Sequence, residues 1–317
     1  MTIDTLKSLL KHYGLNPNKT YGQHFLMDET ILEDMADVAD VKAGDMVVEI
    51  GPGIGNLTEI LLKREATVLS IEKDEQFIRV LRTLSKQYKN FEYELIDALK
   101  FNFSSFLSSP GERSENRGST SGSRLARATS SAKISTRFRR TSSLVAAGKT
   151  PQYKVVANIP YYITGKIVQL FLKQEHKPKS MTLLMQKEVA NNIVAKVGQL
   201  NLLAISVQLY GDAKLVTKVP AFKFHPAPKV ESAVIHIELF SKPKYKLKDE
   251  QKFFRVLRAC FAGKRKQIHN TLTNNLGLEK TVALQSLENI NVDPTARPQQ
   301  LTIEQWIKLV DSIELPN

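Results

Sequence analysis

The sequence predicts an α/β fold: a mostly parallel sheet covered by helices on both faces, closed by an antiparallel hairpin and followed by a small all-α domain. Two observations carry this. From about Asp28 to Glu238, short apolar runs rich in β-branched and aromatic residues alternate with helix-length amphipathic segments. After Pro243 the strand-like runs stop and only charged, helical periodicity remains. The expected domains are therefore residues 1–242 and 243–317.

Taken in order, the N-terminal "MTIDTLKSLLKHYG" reads as a short amphipathic helix and lacks the apolar core of a signal peptide. The strands of the parallel sheet are "DMVVEI" (45–50), "ATVLSIE" (66–72), "FEYELID" (91–97), "YKVVANI" (153–159) and "SMTLLMQ" (180–186). Between them, "LTEILLKRE" and "DEQFIRVLRTLSKQYK" have helical spacing. "AISVQLYGDAKLVTKVP" (204–220) and "ESAVIHIEL" (231–239) are expected to form the closing hairpin. Helices follow in "DEQKFFRVLRACFAGKRKQIHNTLTNN", "EKTVALQSLEN" and "TIEQWIKLVDSI".

With 317 residues, 42% of them hydrophobic, the chain can bury a full core. A net charge of +13 favours a polyanionic partner, nucleic acid before membrane. One cysteine, Cys260, excludes an internal disulfide framework and suits a reducing compartment. No apolar run approaches the roughly 18 residues of a membrane span, so the expectation is a soluble cytoplasmic protein. The segment 108–149 departs from this texture. It is rich in Ser and Arg and poor in large apolar residues, which predicts a disordered insertion on the sheet edge away from the site. Residues 104–150 hold seven Arg and two Lys against two Glu, about +7 of the total. The remainder of the chain is still basic.

Chemistry concentrates first in "VVEIGPGIGNLTEIL", where Gly51, Gly53 and Gly55 stand between a strand and a helix. Glycines there admit a ligand close to the backbone and to the unpaired N–H groups of a helix start. Glu72 ends the next strand, where its carboxylate can accept from both hydroxyls of a ribose. A nicotinamide enzyme would share this pair. Three details separate the readings. The loop is G-P-G-I-G rather than the pyrophosphate-cradling G-x-G-x-x-G. Glu49 places a carboxylate where a cation gains and a pyrophosphate is repelled. Asp97 ends the following strand, placed to accept from an adenine amino group. A ribose, an adenine and a cationic tail describe S-adenosylmethionine.

The stretches "KTYGQHFL" (19–26), "VEIGPGIGNLTEIL", "NIPYYIT", "MQKEVANNIVAK", "FKFHPAPKVESAV" and "RACFAGKRKQIHNTL" resemble the bacterial KsgA family of ribosomal RNA adenine dimethyltransferases. The resemblance spans nearly the whole chain outside 108–149. It implies a Rossmann-like methyltransferase fold, S-adenosylmethionine as cofactor, and dimethylation of N6 on two adjacent adenosines in the hairpin near the 3′ end of small-subunit rRNA. The partner it implies is the immature small ribosomal subunit, met by a monomeric enzyme with a role in ribosome biogenesis.

The site residues follow from that resemblance. Asn158 and the Ile159 carbonyl are expected to accept from the target amino group, with Asn158 also near the cofactor. Pro160 would aim that carbonyl, and Tyr161 would give the base a ring to stack on. His24 and Leu26 are expected at the methionine end of the cofactor, beside Gly51, Glu72 and Asp97. Phe224 is expected to cover the second face of the flipped adenine. No metal is expected. Lys252, Arg255, Arg258 and "GKRKQ" would form a basic face for rRNA phosphates. Two other classes remain open: a macrolide-resistance methyltransferase acting on large-subunit rRNA, and a ribosome-assembly factor that no longer methylates.

Overall fold

The computed structural model describes residues 1–17, 22–103 and 152–315; the Ser/Arg-rich insertion expected at 108–149 lies outside the described residues. The chain divides into two compact units. One comprises Met1–Ala190 with Lys214–Leu239, the other Asn191–Ala213 with Phe240–Asn317.

The first unit begins with α1 (Ile3–Tyr13), β1 (Phe25–Leu26) and α2 (Glu29–Val38). The strand-helix alternation then runs β2 (Met46–Ile50), α3 (Asn56–Lys63), β3 (Thr67–Glu72), α4 (Ile78–Gln87) and β4 (Phe91–Leu95). It resumes with β5 (Tyr153–Asn158), α5 (Thr164–Leu172), β6 (Ser180–Gln186) and α6 (Lys187–Ile193). Among the described residues, the main sheet has seven strands in the order β4-β3-β2-β5-β6-β9-β7, where β7 is Gly211–Val219 and β9 is Ser232–Leu239. The β2–β3, β3–β4, β2–β5 and β5–β6 pairs are parallel, and β9 runs antiparallel to β6. Both β2 and β3 are buried along their whole length, as expected of parallel strands covered on both faces. Their apolar residues Val47 and Val68 meet Leu61, Leu81 and Val156 in one core. A short ladder lies apart from the main sheet, β1 with β8 (Phe224–His225), in the register Phe25↔His225 and Leu26↔Phe224.

The expected closing hairpin needs correction in its first half. "AISVQLY" belongs to a helix, α7 (Leu202–Tyr210), and only Gly211–Val219 is strand. Asn201 starts this helix, its side chain accepting from the Leu203 and Ala204 N–H groups at 3.0 Å each. A helix with Ala204, Ile205, Ser206, Val207 and Leu209 all buried has no polar stripe, so its apolar run is indistinguishable from a buried strand. The domain boundary at 242/243 shifts for the same reason. Leu200, Ala204, Ile205 and Leu209 pack in one core with Phe253, Leu257 and Trp306, which carries residues 191–213 into the helical unit. That unit continues with α8 (Glu250–Ala262), α9 (Ile268–Leu276), α10 (Lys280–Glu288) and α11 (Ile303–Ser312). Cys260 is buried there, and burial pushes its thiol up to about 12, so it stays protonated and inert.

Phe103 lies 4.9 Å from the ring of Phe171 on α5, and Tyr153, which opens β5, lies 6.4 Å from the same ring. Next along β5, the Lys154 ammonium donates to the Asp40 carbonyl at 2.5 Å and to Asp45 Oδ2 at 2.8 Å, with its side chain 8% exposed. Lys154→Met is expected to cost about 1–3 kcal/mol, since it leaves the Asp40 carbonyl without this donor and Asp45 Oδ2 bonded to the Lys42 N–H but not to the ammonium. Urea unfolding of the two proteins at neutral pH would measure the difference.

Candidate active site

Parallel strands bring their C-terminal ends to one edge, and there β2, β3, β4 and β5 deliver the polar residues of the site. The loop after β2 turns on glycines at φ +70° (Gly51), +55° (Gly53) and +85° (Gly55). L-residues with a side chain strain in that left-handed region. Gly51 also faces the loop after β5, since a Cβ there would sit 3.4 Å from Pro160 Cδ and 3.8 Å from the Asn158 carbonyl oxygen. The two loops therefore share a wall.

Glu72 ends β3 with its carboxylate fixed by backbone donors. Oε2 accepts from Gly53 N–H at 3.1 Å, and Oε1 accepts from Lys73 and Asp74 N–H at 2.8 Å each. Burial raises its pKa, and these three donors oppose that shift. Asp97 follows β4, accepting from Leu99 N–H at 3.0 Å and pairing with Lys73 Nζ at 3.0 Å. Burial works to raise Asp97, but the Leu99 N–H and the Lys73 ammonium outweigh it and hold the carboxyl below its usual range. Glu49 is 1% exposed. Its Oε2 accepts from Thr58 Oγ1 at 2.7 Å and Ser70 Oγ at 2.6 Å. Burial, against those two hydroxyls, pushes Glu49 up to about 7, and the nearby Glu72 charge adds to the rise.

These residues line one cleft enclosing about 1050 Å³, part of it open to solvent. His24, Leu26, Gly51, Glu72, Asp97, Asn158 and Tyr161 all border it, so the structure brings together seven of the eight expected site residues. The Asn158 side-chain amide makes no hydrogen bond to another described residue, while the backbone beyond it is anchored by Ile159 N–H to the Leu184 carbonyl at 3.1 Å. The Tyr161 ring stacks on His24 at 5.6 Å between centroids and 23° between planes. The Tyr161 hydroxyl shares a 2.6 Å hydrogen bond with Ser232 Oγ, and His24 Nδ1 lies 2.7 Å from the Pro226 carbonyl.

Phe224 is the exception. It is 2% exposed, packs in the core with Phe25 and Leu26, and does not border the cleft. Its place on β8 opposite Leu26 leaves the ring in that core, apart from the cleft beside which a base-covering role was expected. The exposed ring of that stretch is Phe222, at 71%. The ring that faces Tyr161 is His24, a contact between distant segments that spacing does not reveal.

Several cleft residues went unnoticed in the sequence. Gln23 donates to Asp74 Oδ2 at 2.7 Å, and Gln76 bridges both. Asn56 donates to the Leu26 carbonyl at 3.3 Å, tying the start of α3 to β1. Asn56 directly follows the glycine loop, which was the available signal for it.

Glu49 generates a pH prediction. Between its usual 4.5 and about 7, the folded protein keeps this proton while the unfolded chain has lost it. Stability is therefore lost as pH rises through that window and levels off above it. In Glu49→Gln, which stays neutral, this residue's share of the loss should vanish, so the variant gains on the wild type from about pH 5 upward. Denaturant midpoints across that range would check it.

The sequence profile for "Ribosomal RNA adenine dimethylase" matches residues 14–315. Two relatives are named ribosomal RNA small subunit methyltransferase A. That of Dehalococcoides mccartyi (strain CBDB1) is 37% identical over 303 residues, covering 96% of this chain and 90% of that protein. That of Clostridium botulinum (strain Okra / Type B1) is 35% identical over 309 residues, covering 97% and 98%. Among solved structures, a dimethyladenosine transferase from Plasmodium falciparum superposes with a TM-score of 0.66 at 25% identity, covering 90% of this chain and 96% of that one. The 23S rRNA methyltransferase ErmE gives 0.61 at 23% identity, covering 91% and 98%, a likeness of fold alone. A match this long, with relatives more than a third identical across almost the whole sequence, identifies the chain as a member of the ribosomal RNA adenine dimethylase family.

Proposed function

We propose that this protein is an S-adenosylmethionine-dependent dimethyltransferase acting on N6 of two adjacent adenosines in the 3′-terminal hairpin of small-subunit rRNA. Family membership and relatives named for the small subunit support the reaction and its substrate. The observation that carries the site assignment is the shared wall between Gly51 and Pro160, which sets the cofactor loop against the Asn158–Tyr161 loop.

The residues present fit the cofactor. Glu72, held by three backbone N–H groups, keeps an acceptor fixed for a ribose diol, and Asp97 stands ready for an adenine amino group. Glu49 is a buried carboxylate with hydroxyl partners, and its environment favours a cationic ligand nearby. His24 and Leu26 border the same cleft. When bound, S-adenosylmethionine supplies an electrophilic methyl group on a sulfonium.

The chain's own residues then act on the base. The adenine amino nitrogen is a weak nucleophile because its lone pair is delocalised into the ring. Acceptors at Asn158 Oδ1 and the Ile159 carbonyl draw on its two N–H bonds and favour the pyramidal, localised nitrogen. Tyr161 holds the base in plane by stacking. The proton leaves N6 for solvent once the new N–C bond has formed, so no strong base is required. Positioning of this kind can supply as much as ~7–11 kcal/mol of a barrier. The enzyme works as a monomer in the cytoplasm on an immature small subunit; no described helix is long and apolar enough to cross a membrane.

Methyl transfer from labelled S-adenosylmethionine to small and large subunits lacking the modification tests the assignment. Dimethyladenosine in the small-subunit 3′ hairpin is the expected product. Label confined to the large subunit would move the protein to the resistance class, and binding without label would make it an assembly factor. Within the site, Asn158→Ala should lower kcat by roughly 10²–10³, as removal of a transition-state partner does. Its cofactor affinity by calorimetry should stay within a few-fold.

A further inference from the structure

We propose that Ser232 is a positioning residue for methyl transfer, setting the Tyr161 ring at the angle the target base requires. The inference rests on the reading of Tyr161 as the base platform. Tyr161 follows a proline on a short helical turn, Tyr161–Ile163, whose hydrogen bonds, Ile163 N–H to the Pro160 carbonyl and Thr164 Oγ1 to the Tyr161 carbonyl, fix its backbone rather than its ring. Two contacts from elsewhere fix it. Ser232 Oγ holds the phenol oxygen at 2.6 Å, and His24 covers one ring face at 5.6 Å. His24 is in turn fixed through Nδ1 by the Pro226 carbonyl at 2.7 Å. Both anchors, Pro226 and Ser232, belong to one stretch, "PAPKVES".

Ser232 is suited to this task because it cannot move. It is fully buried, opens β9, and stands in register with Gln186 of β6. A hydroxyl on a paired strand aims its oxygen far more narrowly than one on a loop. Tyr161 is thus held at its hydroxyl tip and on one face, which leaves the opposite face for a base. The antiparallel β6–β9 ladder, which takes no part in cofactor binding, thereby sets the geometry of the substrate platform.

The test uses the full-length protein with small subunits lacking the modification and labelled S-adenosylmethionine. Ser232→Ala should lower kcat roughly tenfold, the scale of one lost hydrogen bond, with KM for S-adenosylmethionine and the thermal midpoint nearly unchanged. Ser232→Thr, which keeps the hydroxyl, should restore most of the rate. Tyr161→Phe should match Ser232→Ala, and the double variant should be no slower than either. Full kcat in Ser232→Ala, or losses that multiply in the double variant, would overturn the proposal. Tyr161→Ala separates the two levels of the argument. If it keeps full activity, the platform reading fails and the role of Ser232 fails with it. If it is inactive while Ser232→Ala is not impaired, only the positioning role is lost.

Discussion

Parallel register is the constraint from which the site follows. Four adjacent strands run the same way, so each carries its last residue to the same edge. The pairing Glu49↔Ser70 sets a buried carboxylate beside the hydroxyl that bonds it at 2.6 Å. Side chains alternate along a strand, so a slip of one strand by one residue would leave Glu49 and Ser70 on opposite faces. The apolar residues Val47, Val48, Val68 and Leu69 are buried on both faces of the same two strands, so the carboxylate and its hydroxyl stand inside the core. Core packing and site chemistry are here one requirement.

The electrostatics of the cleft run against those of the whole chain. The protein carries +13, yet the strand edge gathers Glu49, Glu72 and Asp97. Each is held differently: Glu72 by backbone N–H groups, Asp97 by Lys73, and Glu49 by two neutral hydroxyls. The cleft thus offers a small cationic ligand an anionic floor, while the basic remainder suits a polyanion. Two ligands of opposite charge can be received by one molecule without competing for the same field.

Much of this was legible because the relevant signals are local. Each of β2 to β6 announced itself by its apolar and aromatic residues, and Glu72 and Asp97 could be placed at the cleft because strand ends can be counted from such runs. The failures share a cause. "AISVQLY" lacks the polar stripe that would mark a helix, and Phe224 looks the same in sequence whether its ring faces a base or a core. The Tyr161–His24 stack and the Ser232 hydrogen bond join residues 137 and 71 positions apart in the chain. Contacts that distant leave no periodicity to read, although all three residues sit inside motifs that were noticed for other reasons.

The ring of Phe171 touches both Phe103 and Tyr153, the residues on either side of the Ser/Arg-rich stretch. Both rings meet one side chain of α5, so a single residue ties the segment after β4 to the start of β5. Truncating Phe171 would therefore loosen the segment that follows β4 and the start of β5 together, although neither is its neighbour in sequence.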